Sequence, residues 1–479
     1  MTLLLCLGGI WLLGFGLVRW LFPRPIGWSL HNILLFSLAI GAGAGVASCL
    51  YFLALMLVGP SVAILGSAMG VVVAIALALG FVTKRKGIEL DWAEGSEDSK
   101  VPRYLIALFV VAAALAVIMF LGAITYNPHG EEAAWSIWNL RARFLFRAGA
   151  FWRDAFSSDL GWSHTDYPLL LPGLVALCWK LSGRESTDAP IAIAFLFALG
   201  TTGVLVSALG VLRGKIHALM AGTLLLGTAS FVALSAALYG DVPLSLYILA
   251  TLALLCFQDR HPDDLRFSAL AGLMVGFAAW TRNEGMIFAV AVIVARAFAL
   301  FRFGERNKLV PQLVRLLAGL LAPLGVVIVF KLRVSGPSDL FALPASVIVK
   351  NLADVGRWIM TAEGLVFVLF TMARFLIPII LVLALYWYLV RFQVDARDRA
   401  ALLTAGIALA LTLATQLLFN ILYAGNLAVE ISTSLERILL QLWPAALLIF
   451  FLASAPLQLI APKPQKKANK PGRRIVETR

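Results

Sequence analysis

Charge is scarce in this chain. Asp, Glu, Lys and Arg make up 14% of its 479 residues against 61% hydrophobic, and the mean hydropathy is +0.91. A soluble domain carries about a quarter charged residues, so a water-soluble fold is excluded. Cysteine is scarcer still. Cys6, Cys49, Cys178 and Cys256 each lie in an apolar run and share no CxxC spacing, which reads them as small buried hydrophobes and not as a disulfide framework or metal set. No GxxxxGK[ST] or GxGxxG stands between a strand and a helix, which argues against an ATP-driven pump. Period-two alternation of the barrel kind is absent, so the apolar runs are helices. An inverted repeat, common in secondary transporters, is absent too.

What is present is a succession of apolar runs long enough for a hydrocarbon core of about 30 Å. They fall at 3–22, 31–58, 61–82, 103–125, 190–212, 216–238, 241–257, 266–281, 285–302, 311–333, 365–391, 400–423 and 438–459. The expected fold is all-α and polytopic, with about thirteen crossings. The run MTLLLCLGGIWLLGFGLVRWLF has Arg19 behind it and no basic residue before it, the pattern of a retained first helix. A formal net charge of +13 has the sign that suits nucleic acid, yet Lys84, Arg85, Lys86, Lys308, Lys466, Lys467, Lys470, Arg473 and Arg474 sit in short connections or the tail. Such charges orient helices, so no nucleic-acid partner is expected. TKRKGIELDWAEGSEDSKVPR, LRGK, QDRHPDDLR, FRFGERNK, RFQVDARDR and the tail then share the cytoplasmic side, provided that 168–181 is a half-helix that does not cross. The expected divisions are an N-terminal three-helix piece (1–102), a catalytic membrane domain (103–460) and a basic tail (461–479).

One long polar insert breaks the first half. Residues 126–172 hold Glu131, Glu132, Asp154, Asp159, Asp166, four arginines, two histidines and four tryptophans. Ionisable groups beside a membrane are costly, so such density points to chemistry. WSIWNLRARFLF places Trp135, Trp138, Ala142 and Leu145 on one stripe with arginines off it, which predicts an interfacial helix. Glu131 and Glu132 are candidates for a general base if partly desolvated, or are solvated acids at a helix start. In HTDYP, Asp166, flanked by His164 and Tyr167, is a second candidate for the base, an acceptor contact or a divalent-cation ligand, or else a cap. Arg141, Arg143, Arg147 and Arg153 are fork-shaped partners for a lipid phosphate, or snorkelling side chains.

Three further stretches open on the same side. Asp241 in YGDVP, and Arg282 and Glu284 in TRNEG, are candidate pocket residues or ordinary wet turns. Arg374 lies within an apolar run, where a charge costs about 3 kcal/mol and so faces the bundle, a cavity or an ion-pair partner. Glu430, Ser434 and Arg437 recur at i, i+4 and i+7, one face of the last span.

EAAWSIWNLRARFLFRAG, SHTDYPLLLP, LYGDVPLSLYILA, AGLMVGFAAWTRNEGMIFA and STSLERILLQLWP together resemble bacterial membrane glycosyltransferases of the GT-C type. They are similar to the protein O-mannosyltransferases and the lipid A aminoarabinose transferases. The resemblance covers about residues 100–445. It implies a multi-pass inner-membrane enzyme of envelope glycolipid or polysaccharide synthesis, with its site facing the periplasm. The donor would be a polyprenyl-phosphate sugar and the acceptor a glycolipid, polysaccharide or protein, joined with inversion. It implies a loop acid at Glu131 or Glu132, with Asp166, and Arg437 on the donor phosphate. Two positions depart from the pattern: Ala133 stands where relatives carry Asp, and Glu430 where they carry His. The alternatives are a lipid-linked sugar flippase, which would distribute charge through the bundle, and a non-catalytic assembly protein.

Overall fold

The computed structural model describes residues 2–22, 30–59, 62–82, 101–337, 343–373 and 378–455. Arg374 and the basic clusters around Lys84 and Lys466 lie outside them. Helices α1 (Thr2–Leu21), α2 (Leu30–Val58), α3 (Val62–Val82) and α4 (Arg103–Tyr126) precede the insert, which holds α5 (Asn139–Arg147). Then come α6 (Leu170–Ser182), α7 (Asp188–Leu212), α8 (Lys215–Gly227), α9 (Ala229–Ala236), α10 (Asp241–Arg260), α11 (Arg266–Thr281), α12 (Asn283–Arg302) and α13 (Arg306–Arg333). The chain closes with α14 (Ala345–Ala353), α15 (Val355–Thr371), α16 (Ile379–Val390), α17 (Arg399–Leu422) and α18 (Leu427–Ala453).

The protein is an all-α polytopic membrane protein. Among the described residues nine helices are long and apolar enough to cross a bilayer, or ten if α8 and α9, bent by 60°, form one span. The expected thirteen are not confirmed. The expected span 365–391 arrives as two helices, with Pro378 opening the second because proline has no amide hydrogen to donate back. α11 is 16 residues long, short for a lone crossing.

α10 is buried over its whole apolar window and forms the axis, with α7, α11 and α18 against it. α4, buried over 11% of its window, turns its apolar side chains outward, as lipid permits. The small residues of AIGAGAGVAS in α2 let α1 and α7 approach closely. α2 is tied into the bundle: Tyr247 donates to the Gly41 carbonyl at 2.9 Å, and Trp280 Nε1 to Ser48 Oγ at 3.0 Å.

Two features of the insert and of the helix after it place the site. A π-helical turn, Ala134–Trp138, runs into α5. Its wider winding breaks the register expected of one stripe: Trp138, Ala142 and Leu145 are buried, whereas Trp135 is 49% exposed and Arg141 is fully buried. The second feature is α6, expected as a half-helix that does not cross and 13 residues long, shorter than the helices able to span a bilayer. Each residue from Leu170 to Lys180 is buried, against α2 and α5. Its N-terminal end delivers the HTDYP turn to the other polar loops.

Polar connections gather at opposite ends. At one, Arg260 grips Asp398 with two bonds of 2.8 and 2.7 Å, and Arg213 donates to the carbonyls of Gln393 and Ser454. At the other lie the HTDYP turn, the α9–α10 and α11–α12 turns, the end of α13 and the start of α18.

Candidate active site at one end of the bundle

Asp241, the first residue of α10, is fully buried and accepts three hydrogen bonds. Arg282 Nη1 reaches Oδ1 at 2.9 Å, Gln441 Nε2 reaches Oδ1 at 2.7 Å, and Arg437 Nε reaches Oδ2 at 3.2 Å. A carboxylate with both oxygens occupied is a holder of cations. It can hold them because Gly240 precedes it. A Cβ there would come within 2.8 Å of the Trp138 ring, so the α9–α10 turn approaches the insert only with glycine.

Arg282 extends the network. It also binds Glu284 in a fork, through Nε at 3.2 Å and Nη2 at 2.5 Å. Its guanidinium lies 5.3 Å from the Tyr167 ring and 5.8 Å from Trp138, rings stacked 5.7 Å apart. His164 also stacks on Tyr167, at 5.1 Å. Burial pushes the Tyr167 phenol well above its ordinary range, and Glu284 adds to it, so the ring stays a neutral wall. His164 holds its position with a positive φ of 51°, and Leu238, beside the α9–α10 turn, has φ 62°. Non-glycine residues in that region are costly and collect at functional sites.

Asp166 is 5% exposed and accepts from Asn283 Nδ2 at 2.6 Å through Oδ2. Lys331 Nζ donates to Asn283 Oδ1 at 2.9 Å and to the Asp166 carbonyl, and lies 3.9 Å from Oδ2. No partner holds Asp166 Oδ1 among the described residues. On α18, Glu430 hydrogen-bonds Ser434 and interacts electrostatically with His164 and Arg437. Asn420 Nδ2 donates to Ser434 Oγ at 3.0 Å. Arg437 lies over Tyr239 at 4.8 Å. Among the described residues its guanidinium donates through Nε alone and both Nη groups are unused, and the side chain is 23% exposed.

The structure thus brings together Asp166, Tyr167, His164, Asp241, Arg282, Glu284, Glu430, Ser434 and Arg437. Glu131 and Glu132 are exposed on the rim. The Glu131 amide donates to the Ala237 carbonyl at 3.2 Å, and Tyr239, whose hydroxyl accepts from the Ala133 amide at 3.3 Å, separates that turn from Arg437. Arg141 is engaged elsewhere: its guanidinium donates to the carbonyls of Ser163, His164 and Tyr167 and so clamps the HTDYP turn. Burial lowers its pKa to about 10, still protonated at neutral pH. Arg143 pairs with Glu185 at 3.0 Å, away from Asp241. Among the described residues no group of three or more His, Cys, Asp or Glu could hold a metal ion.

Lys331, Asn283 and Gln441 were not foreseen. Gln441 continues the 430, 434, 437 stripe by one turn, a signal the pattern carried. Lys331 ends an apolar span, where a lysine reads as a topology charge; the fold alone turns it onto Asp166.

A helical bundle that crosses the membrane and holds carboxylates and guanidiniums in one polar cluster at one end suits a multi-pass membrane enzyme. Residues 166–330 match the family model of dolichyl-phosphate-mannose-protein mannosyltransferases. The matched segment, about a third of the chain, starts at Asp166 and takes in Asp241, Arg282, Asn283 and Glu284. No curated protein and no solved structure matches the chain. The match supports a membrane glycosyltransferase of the GT-C type, the class its motifs resemble.

Proposed function

We propose that this chain transfers a sugar from a polyprenyl-phosphate donor to an acceptor hydroxyl at the outer face of the bacterial inner membrane, with inversion. The observation that carries the reading is Arg437. A partly exposed guanidinium is held through Nε by a buried carboxylate and keeps two Nη donors for a phosphate, the fork that guanidinium offers phosphate oxygens. Arg282 is anchored on the same Asp241 and adds positive potential beneath it.

The base is Asp166. Asp241 has both oxygens occupied, Glu284 is chelated by Arg282, and Glu131 and Glu132 stand on the rim. Asp166 alone among these combines burial, orientation by Asn283 and a free Oδ1. In the reaction the acceptor O–H gives its proton to Asp166 and its oxygen bonds to the anomeric carbon. The bond from that carbon to the phosphate oxygen breaks, and polyprenyl phosphate leaves with the electron pair, stabilised by Arg437. The family named in the match uses dolichyl-phosphate mannose, which makes a polyprenyl-phosphate hexose the first donor to test.

The test is release of polyprenyl phosphate from polyprenyl-phosphate [14C]mannose in membranes carrying the protein. Asp166→Asn is expected to slow release by about 10²- to 10⁴-fold, the range for loss of a general base. A Glu131→Gln, Glu132→Gln double variant is expected to keep most of the rate. If those two results are exchanged, the base lies on the rim and the assignment to Asp166 is wrong.

A further inference from the structure

A cleft of about 140 Å³ opens between the turn after α4, α5, and the α6–α7 connection. It is lined by His129, Asn139, Arg143, Glu185, Ser186 and Thr187, among others. It is separate from the space at Asp241 and Arg437, where the reaction is placed. The two are neighbours. Asn139 follows Trp138, which walls the Asp241 cluster, and Pro128 and His129 belong to the turn that carries Glu131.

We infer that this cleft binds a sugar unit of the acceptor. The inference rests on the transferase reading above. Three lining side chains point to a polar ligand. Asn139 is 5% exposed, yet its carboxamide has no hydrogen-bond partner among the described residues, and the same holds for the hydroxyls of Ser186 and Thr187. Ser186 and Thr187 are half-buried, whereas Asn139 is almost enclosed and meets open space at the cleft; a carboxamide so enclosed without a partner is uncommon, because desolvation without a bond is costly. Together they offer several donors and acceptors in about 140 Å³, close to the cavity of about 150 Å³ that takes one six-membered ring.

The walls are set before any ligand arrives. Glu185 is fixed by Arg143 at 3.0 Å and by Arg147 at 2.6 and 2.8 Å. Trp179 Nε1 donates to the Ser186 carbonyl at 2.8 Å, and Ser182 Oγ to that of Arg184 at 3.2 Å. Among the lining residues Arg143 and Glu185 cancel, so the cleft selects for hydroxyl groups over an anion. A neutral sugar ring supplies both donors and acceptors at close spacing, which a phosphate does not.

The solubilised full-length protein is to be probed with a panel of methyl hexopyranosides by saturation-transfer NMR. Binding is expected, weakened about tenfold by Thr187→Val or Asn139→Leu, the loss that follows from one hydrogen bond. Arg437→Ala is expected to leave it unchanged. Thr187→Val exchanges one hydroxyl for a methyl group and is the variant least prone to misfold. A second readout needs no variant: a bound hexoside protects His129 from carbethoxylation, read by peptide mass spectrometry. No saturation transfer to any member, no protection of His129, or equal binding in both variants would overturn the proposal and leave the transferase reading standing. A protein that binds the hexosides through the cleft but releases no polyprenyl phosphate overturns the transferase reading instead, and the sugar site stands without the acceptor role.

Discussion

Asp241→Asn isolates the charge on which the cluster is built. The change keeps the shape and one acceptor oxygen but removes the negative charge between Arg282 and Arg437, and it sets a new amide donor against the Gln441 donor. With contacts of 2.9 and 3.2 Å, the charge centres lie about 4 Å apart, which gives about 4 kcal/mol of gross attraction per pair at an effective dielectric of about 20. Much of that is offset by the desolvation of a fully buried carboxylate. Removing one partner of a buried pair typically costs about 3–5 kcal/mol. Arg282 retains Glu284, and Arg437 at 23% exposure still reaches water, so the lower end, about 3 kcal/mol, is expected. Thermal unfolding in detergent should register that loss. Donor affinity should fall as well, because nothing then fixes Arg437 through Nε. The two effects separate in a cycle with Arg437→Ala: once Arg437 is absent, Asp241→Asn should add little to the loss of donor binding. Unchanged donor affinity and an unchanged melting midpoint in Asp241→Asn, or donor effects that add in full, would refute the account.

Arg437→Ala itself is expected to weaken binding of polyprenyl phosphate at least tenfold, measured by displacement of a fluorescent polyprenyl phosphate, without weakening methyl hexoside binding. Arg141→Ala should behave as a stability variant: the carbonyls of Ser163, His164 and Tyr167 lose their donor, at about 3 kcal/mol in total. Its melting midpoint should drop, with loss of transfer following the drop and rescued by cooling. Glu185 makes the one pH prediction. Burial works against its ionisation, yet the donors on Arg147 and Arg143 outweigh it and hold its pKa below the ordinary carboxylate value. A lowered folded pKa means that its contribution is complete above the unfolded value near 4.5 and is lost as pH falls through the lowered one. Thermal midpoints at acid pH should therefore decline less in Glu185→Gln than in the unmodified protein.

Much of this protein was legible in its residues. Most apolar runs set the helices to within a few positions, because a hydrocarbon core accepts little else; the exceptions include 365–391, which is two helices, and 438–459, whose helix begins earlier, at Leu427. The polar turns HTDYP, YGDVP and TRNEG and the stripe from Glu430 to Arg437 stood out for the same reason: an ionisable group at a membrane needs a purpose, and these four stretches do converge. The one-stripe reading of WSIWNLRARFLF failed at a π-turn, which periodicity does not reveal, and it left Arg141 facing inward.

Sequence by itself determined which side chains could act, since helix spacing and the cost of charge near lipid are local properties. Tertiary structure decided which of them meet. Asp241 holding Arg282 and Arg437 across gaps of 41 and 196 residues, Lys331 turned onto Asp166, and Arg141 spent on backbone carbonyls all depend on how α10, α11, α13 and α18 pack. A guanidinium reads the same in a sequence whether it grips a carbonyl, a carboxylate or a ligand, and its neighbours in space settle the matter.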